Sequence, residues 1–123
     1  MVWWIMGAGA LGSGARYLVG LWAVERLGAA FPYGTLIVNI SGSFALGMVA
    51  HLATASAWSP ELRAAIAIGF LGGFTTYSSF NQETLTLLGS GATGTALLNI
   101  SLTLMAGLAA GWLGLVVARQ LVT

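Results

Sequence analysis

The chain of 123 residues is 58% hydrophobic and 6% charged, with a net charge of +1 and a mean hydropathy of +0.91. A water-exposed globule draws roughly a quarter of its residues from Asp, Glu, Lys and Arg to solvate its surface. Four basic and three acidic side chains exclude such a surface and leave the lipid bilayer as the fitting solvent. The small net charge argues against a nucleic-acid partner, and the lack of cysteine rules out a disulfide framework or a thiolate metal site.

In chain order, Met1-Val2-Trp3-Trp4 carries no basic residue ahead of its apolar run. It reads as the start of a first spanning helix, about 2–24, and not as a cleaved signal peptide. Arg16 is the one charge within that helix before Glu25. Phe31-Pro32-Tyr33 precedes a second span at about 34–56, and Ser59-Pro60 precedes a third at about 62–88. The loop Gly89-Ser90-Gly91-Ala92-Thr93-Gly94 leads into a fourth at about 94–119. A spanning helix needs roughly 20 mainly apolar residues, and stretches 27–60, 64–82 and 84–118 hold no charge at all. Trp3, Trp4, Phe31, Tyr33 and Trp58 fall near the ends of these spans, as an interfacial aromatic belt does. The expected architecture is an all-α integral membrane protein, one domain over 1–123 with four transmembrane helices.

Four spans put both termini and the 57–62 loop on one side, with Arg63 and Arg119. Arg26 belongs to the other side, and Arg16 lies within the membrane nearer to it. The Lys/Arg bias is close to nil, so the positive-inside rule sets no clear orientation. Insertion in both orientations and orientation by a single Arg both remain open. Four helices are also too few to enclose a polar path, so chains are expected to associate as a homodimer. Small residues at Ala8/Gly12, Ser43/Gly47 and Gly107/Gly111 allow close helix approach in lipid, although Gly is common in membrane helices in any case.

Polar groups in a membrane are costly unless they face a partner or water. Thr35, Asn39 and Ser43 are spaced by four and stack on one face of the second helix. Asn99, Thr103 and Gly107 repeat the pattern on the fourth. Matched stripes fit either a wet path or a helix interface. The third helix reads Gly69-Phe70-Leu71-Gly72-Gly73-Phe74-Thr75-Thr76-Tyr77-Ser78-Ser79-Phe80-Asn81-Gln82-Glu83. Paired Gly, Thr and Ser make a poor helix interior, which predicts a break near 72–76. Irregular backbone at membrane depth is tolerated only where protein buries it or water meets it. Freed carbonyls can hold a cation; freed N–H groups and hydroxyls can face an anion. Tyr77 and Phe80 share a face, where electropositive ring edges can meet an anion or simply pack. Arg16 can concentrate anions or snorkel to the interface. Glu83 lies near the end of its helix, and His51 has no assigned role.

Three segments carry a family resemblance: Gly12-Ser13-Gly14-Ala15-Arg16-Tyr17, then Gly34-Thr35-Leu36-Ile37-Val38-Asn39-Ile40-Ser41-Gly42-Ser43-Phe44, then Gly69 through Phe80 followed by Glu83. In order, spacing and total length the chain resembles the CrcB/Fluc fluoride channels, and the third segment is the most specific. The resemblance implies an antiparallel, dual-topology homodimer in the bacterial inner membrane, with two fluoride pores at the subunit interfaces. It implies a structural sodium ion at the dimer centre, held by the backbone carbonyls of Gly72 and Thr75 from both chains. It puts Thr35, Asn39, Ser43, Thr76, Tyr77, Ser79, Phe80, Asn99 and Thr103 along the pore, with Arg16 and Glu83 in the vestibule. Two departures stand out: Tyr77 where the family usually has Phe, and Asn99 where a Tyr is common.

The runner-up is a small proton-coupled multidrug exporter, also built from short four-helix chains. Such a protein needs a carboxylate deep in a helix, and here the first helix has none in its interior while Glu83 comes late in the third. An enzyme is disfavoured by the absence of a nucleophile–base–acid set, and no Gly-rich nucleotide loop with Lys is present to couple an energy source.

Overall fold

The computed structural model describes residues 1–123 and is all-helical. The elements are α1 (Val2–Leu27), α2 (Tyr33–Ala55), α3 (Pro60–Arg63), a π-helical segment (Ala64–Phe70), α4 (Leu71–Phe74), α5 (Tyr77–Gly89) and α6 (Thr93–Leu121). They form four rods, because α3, the π-helical segment and α4 run on as one rod that α5 resumes after a gap. Two of the helices, α2 and α6, are long and apolar enough to cross a bilayer on length and composition alone.

Each rod begins or ends where local chemistry dictates. Gly28 closes α1 at φ 85°, a left-handed conformation that glycine adopts without steric cost. Ser59 caps α3 by accepting a hydrogen bond from the Leu62 N–H at 3.2 Å, with Pro60 at the first helical position. In the following π-helical stretch the Leu71 N–H reaches back to the Ile66 carbonyl.

The third rod stops at Thr75 and Thr76, both extended, with φ/ψ of −86°/155° and −152°/115°. The two glycines expected to take part in the break, Gly72 and Gly73, remain helical. Gly73 serves close packing instead: a Cβ there would stand 2.5 Å from the Gly9 carbonyl oxygen of α1. Thr75 makes the last helical bond, its N–H and its hydroxyl both donating to the Leu71 carbonyl at 3.0 and 2.9 Å. The next N–H, that of Thr76, is claimed from outside the helix.

Packing follows small residues. α1 lies against the π-helical segment and α4, and α2 lies along α6. A Cβ on Gly12 would collide with the Phe70 carbonyl, and one on Gly47 with the Gly111 carbonyl. All three small pairs noted in the sequence therefore contribute to seams within one chain, where backbones meet directly. The buried core is thin, and large apolar side chains such as Leu11, Leu18, Ile68, Met105 and Leu108 point outward. That is the surface a lipid-solvated bundle presents.

Candidate functional site

The extended Thr75–Thr76 pair lies where polar side chains from three other elements converge. Asn39 of α2 grips Thr76 at both backbone groups: its Oδ1 accepts from the Thr76 N–H at 2.7 Å, and its Nδ2 donates to the Thr76 carbonyl at 3.0 Å. The amide thus takes the place of the neighbouring turn that the broken helix lacks. One N–H of its NH2 group is left over. Arg16 of α1 donates from Nε to the Gly73 carbonyl at 3.0 Å, which satisfies another acceptor freed by the break. Its Nη groups have no protein partner.

Downstream, Thr76 caps α5. Its Oγ1 accepts from the Ser79 N–H at 3.2 Å and donates to Ser79 Oγ at 3.2 Å. The first N–H groups of α5, those of Tyr77 and Ser78, have no turn before them to bond. The positive end of the α5 dipole therefore opens in mid-structure. The Gly72 and Thr75 carbonyls likewise receive no hydrogen bond across the break, since Asn39 has taken the Thr76 N–H and the Thr76 hydroxyl the Ser79 N–H.

Two open grooves flank this point. The first, about 310 Å³, is lined by Asn39, Ser43, Gly72, Thr75, Thr76, Tyr77, Phe80 and Thr103 among others. Phe80 is buried, whereas Tyr77 stands mostly exposed over it, ring edge to ring at 5.8 Å between centroids. The second groove, about 330 Å³, holds Arg16, Thr35, Thr76, Ser79 and Glu83. Here Thr35 Oγ1 donates to Glu83 Oε1 at 2.7 Å, while Oε2 is buried without a partner. Thr76 borders both grooves. A third hollow of about 320 Å³ shares Thr35 and Glu83 and runs out to the loop at Phe31 and Pro32.

Asn99 alone among the residues singled out from the sequence lies in neither groove. It is 2% exposed, and its Nδ2 donates to Thr84 Oγ1 at 3.0 Å. The α6 stripe thus splits: Thr103 and Gly107 line the first groove, and Asn99 turns toward α5. His51 bonds through Nε2 to the Val122 carbonyl at 2.6 Å, tying the C-terminal residues to α2.

The family model described as CrcB-like protein, Camphor Resistance (CrcB), matches residues 3–115. The chain belongs to the CrcB-like family. Among curated relatives it is 50% identical over 120 residues to the fluoride-specific ion channel FluC of Sorangium cellulosum, covering 97% of this chain and 94% of that one. It is 44% identical over 124 residues to the FluC of Acidobacterium capsulatum, covering 97% and 96%. Over 114 residues it is 46% identical to the FluC of Geotalea uraniireducens, covering 92% of each. The resemblance read from the three sequence segments is borne out. Relatives of these names make the family one of ion channels, not of enzymes, and this CrcB-like chain is a multi-pass membrane protein.

Two features of the CrcB-like site escaped the sequence reading. Thr84 carried a signal, standing four and eight residues after Phe80 and Thr76 on the same helix face. The bidentate grip of Asn39 on a backbone carried none, because a side chain that bonds main chain is indifferent to the identity of its partner.

Proposed function

We propose that the chain is a fluoride-selective passive channel that lets fluoride leave the cytoplasm. The observation that carries this reading is the convergence at Thr76: the start of α5 with its first two N–H groups free, hydroxyls and an amide border two grooves in a chain whose relatives are named fluoride-specific channels. Fluoride is small and holds its water tightly. A conducting path has to replace that water with donors in series while binding the ion weakly enough to release it. Ser43, Ser79 and Thr103 offer hydroxyl donors along the grooves, while the hydroxyls of Thr35 and Thr76 already donate to Glu83 and Ser79 and orient them. Asn39 retains one N–H, and the first N–H groups of α5 add fixed partial positive charge. Ring edges at Tyr77 and Phe80 add an electropositive contact that disfavours no small anion and hydrates none. Arg16, with its Nη groups unpartnered, makes a vestibule attractive to anions, and Glu83 stands beside it.

The groove walls of one chain are open on one side, which supports two chains as the working unit. We propose an antiparallel, dual-topology homodimer with two pores between the subunits. Its centre would hold a structural sodium ion through the Gly72 and Thr75 carbonyls of both chains. The fit rests on those carbonyls: the break leaves both without a backbone donor, and oxygen donors suit a hard cation. The ion would neutralise facing carbonyl dipoles at the axis and would not be transported. No energy coupling or enzymatic chemistry is required, because fluoride that enters as the neutral acid ionises in the cytoplasm and leaves down its own gradient.

Purified protein in liposomes loaded with fluoride or chloride tests the reading. Fluoride efflux without chloride efflux is expected. Proton-coupled export of a cationic dye, or no flux, would overturn it in favour of an exporter or a non-transporting subunit.

A further inference from the structure

Thr84 and Asn99 are the buried polar residues of the chain, at 6% and 2% exposure, and they bond each other. The Asn99 Nδ2 donates to Thr84 Oγ1 at 3.0 Å. The Thr84 hydroxyl then donates to the Phe80 carbonyl at 2.7 Å. An N–H···Oγ bond fixes the direction in which the hydroxyl can point, so the amide on α6 orients a hydrogen bond onto the backbone of the residue whose ring lines the first groove. No other side-chain hydrogen bond joins α5 to α6.

This tie matters because α5 is otherwise held by side-chain hydrogen bonds to α2 alone, through Asn39 at Thr76 and Thr35 at Glu83. It is 13 residues long and starts after two extended residues, so the upstream rod transmits no helical register across the break. At its start, Asn39 holds Thr76. One turn further stands Phe80, and one turn beyond that Thr84, all on one face. A twist of α5 about its axis would carry the Phe80 ring, and the Tyr77 ring leaning on it, out of register with Ser43 and Thr103 across the groove.

We infer that Asn99 and Thr84 are positioning residues for the aromatic pair of the permeation path: they pin α5 to α6 and thereby hold Phe80 in place without lining the path themselves. The inference rests on the fluoride-channel reading. Asn99 then acts through Thr84 and not on the ion.

The test measures fluoride and chloride efflux from proteoliposomes for Thr84→Val, Thr84→Ser, Asn99→Leu and the double variant Thr84→Val/Asn99→Leu. Thr84→Val preserves shape and removes the hydroxyl. It is expected to slow fluoride efflux on the order of tenfold while the protein still elutes as the wild type does, with a thermal midpoint lowered by the buried hydrogen bond that Asn99 loses. Thr84→Ser restores the hydroxyl and is expected to restore the rate. In the Thr84→Val background Asn99→Leu should slow efflux no further, because the link it acts through is already gone. Wild-type rate in Thr84→Val overturns the inference alone, as does a full additional loss in the double variant, which would put Asn99 in contact with the ion. Wild-type protein that passes no fluoride would overturn the channel reading and this inference together.

Discussion

At the scale of single residues, Asn39 combines the strongest geometry with the greatest sensitivity. Its two bonds to Thr76 need one acceptor and one donor on the same side chain. Asn39→Asp keeps the acceptor, loses the donor, and sets a carboxylate against the Thr76 carbonyl. It also puts negative charge beside the proposed anion path, so efflux should fall by about two orders of magnitude, as expected for several kcal/mol of unfavourable interaction. Efflux near the wild-type rate would remove Asn39 from both roles. Phe80→Ile keeps an apolar side chain but abolishes the ring edge, and fluoride efflux should drop while the folded protein elutes unchanged. Tyr77→Phe is the contrasting case. The Tyr77 side chain is 77% exposed in one chain, its hydroxyl bonds nothing within that chain, and the ring edge survives the change, so efflux should persist. The sequence made these side chains legible as a group, because polar residues at intervals of four cannot be explained by lipid contact. It did not divide their labour. That Asn39 would bond main chain, and Asn99 another buried side chain, depends on rotamers and interhelix distances that no spacing rule encodes.

At the scale of elements, glycine decides how closely the rods approach. Gly114 of α6 is buried against the backbone of Phe44 in α2. Gly114→Val would force the α2–α6 seam apart and should destabilise the protein by about 1–3 kcal/mol, the range for overpacking a tight core. The check is a lower thermal midpoint in detergent. Gly94 has open space where its Cβ would go, so Gly94→Ala should leave the midpoint unchanged or slightly raised through better helix propensity. The four rods were readable from charge-free stretches bounded by Pro, Gly and aromatic residues. The site of the interruption was readable only to within a turn. Gly72 and Gly73 looked like helix breakers by propensity, yet both stay helical, Gly73 meets α1 closely, and the rod ends at the extended threonines after them, where the Thr76 N–H goes to Asn39.

At the scale of the whole molecule, one chain carries its grooves on an open face. A second copy closing them should give a particle of twice the 12.6 kDa chain mass in detergent-corrected light scattering, and a monomer at working concentrations would remove the interfacial pores. If sodium joins the two chains, exchanging it for a large organic cation should lower the thermal midpoint of that dimer, and adding sodium back should restore it. Charge balance sets a further expectation. With so few Lys and Arg near the span ends, paired compartment-specific reporters on the C-terminus should both give signal; one reporter alone would refute dual insertion. Helix count and lipid solvation were legible from composition. Association was an expectation from the helix count and its antiparallel form one from resemblance, because a Gly-lined surface looks the same whether it meets its own chain or another.

The π-helical segment Ala64–Phe70 ends where the Leu71 N–H reaches Ile66, five residues back. Such a turn accommodates one residue more than an α-helix would over the same rise. Removing one residue there would let the rod relax to ordinary α-helix over the same rise, with Thr75, Thr76 and α5 still turned toward Arg16 and Asn39. The same deletion in regular α-helix, where no extra residue is stored, would swing everything beyond it by about 100° about the axis. The π turn is thus a reserve of length within the rod. A one-codon deletion between 65 and 68 should leave fluoride efflux measurable, whereas a one-codon deletion within the regular helix of α2 between 36 and 38 should abolish it.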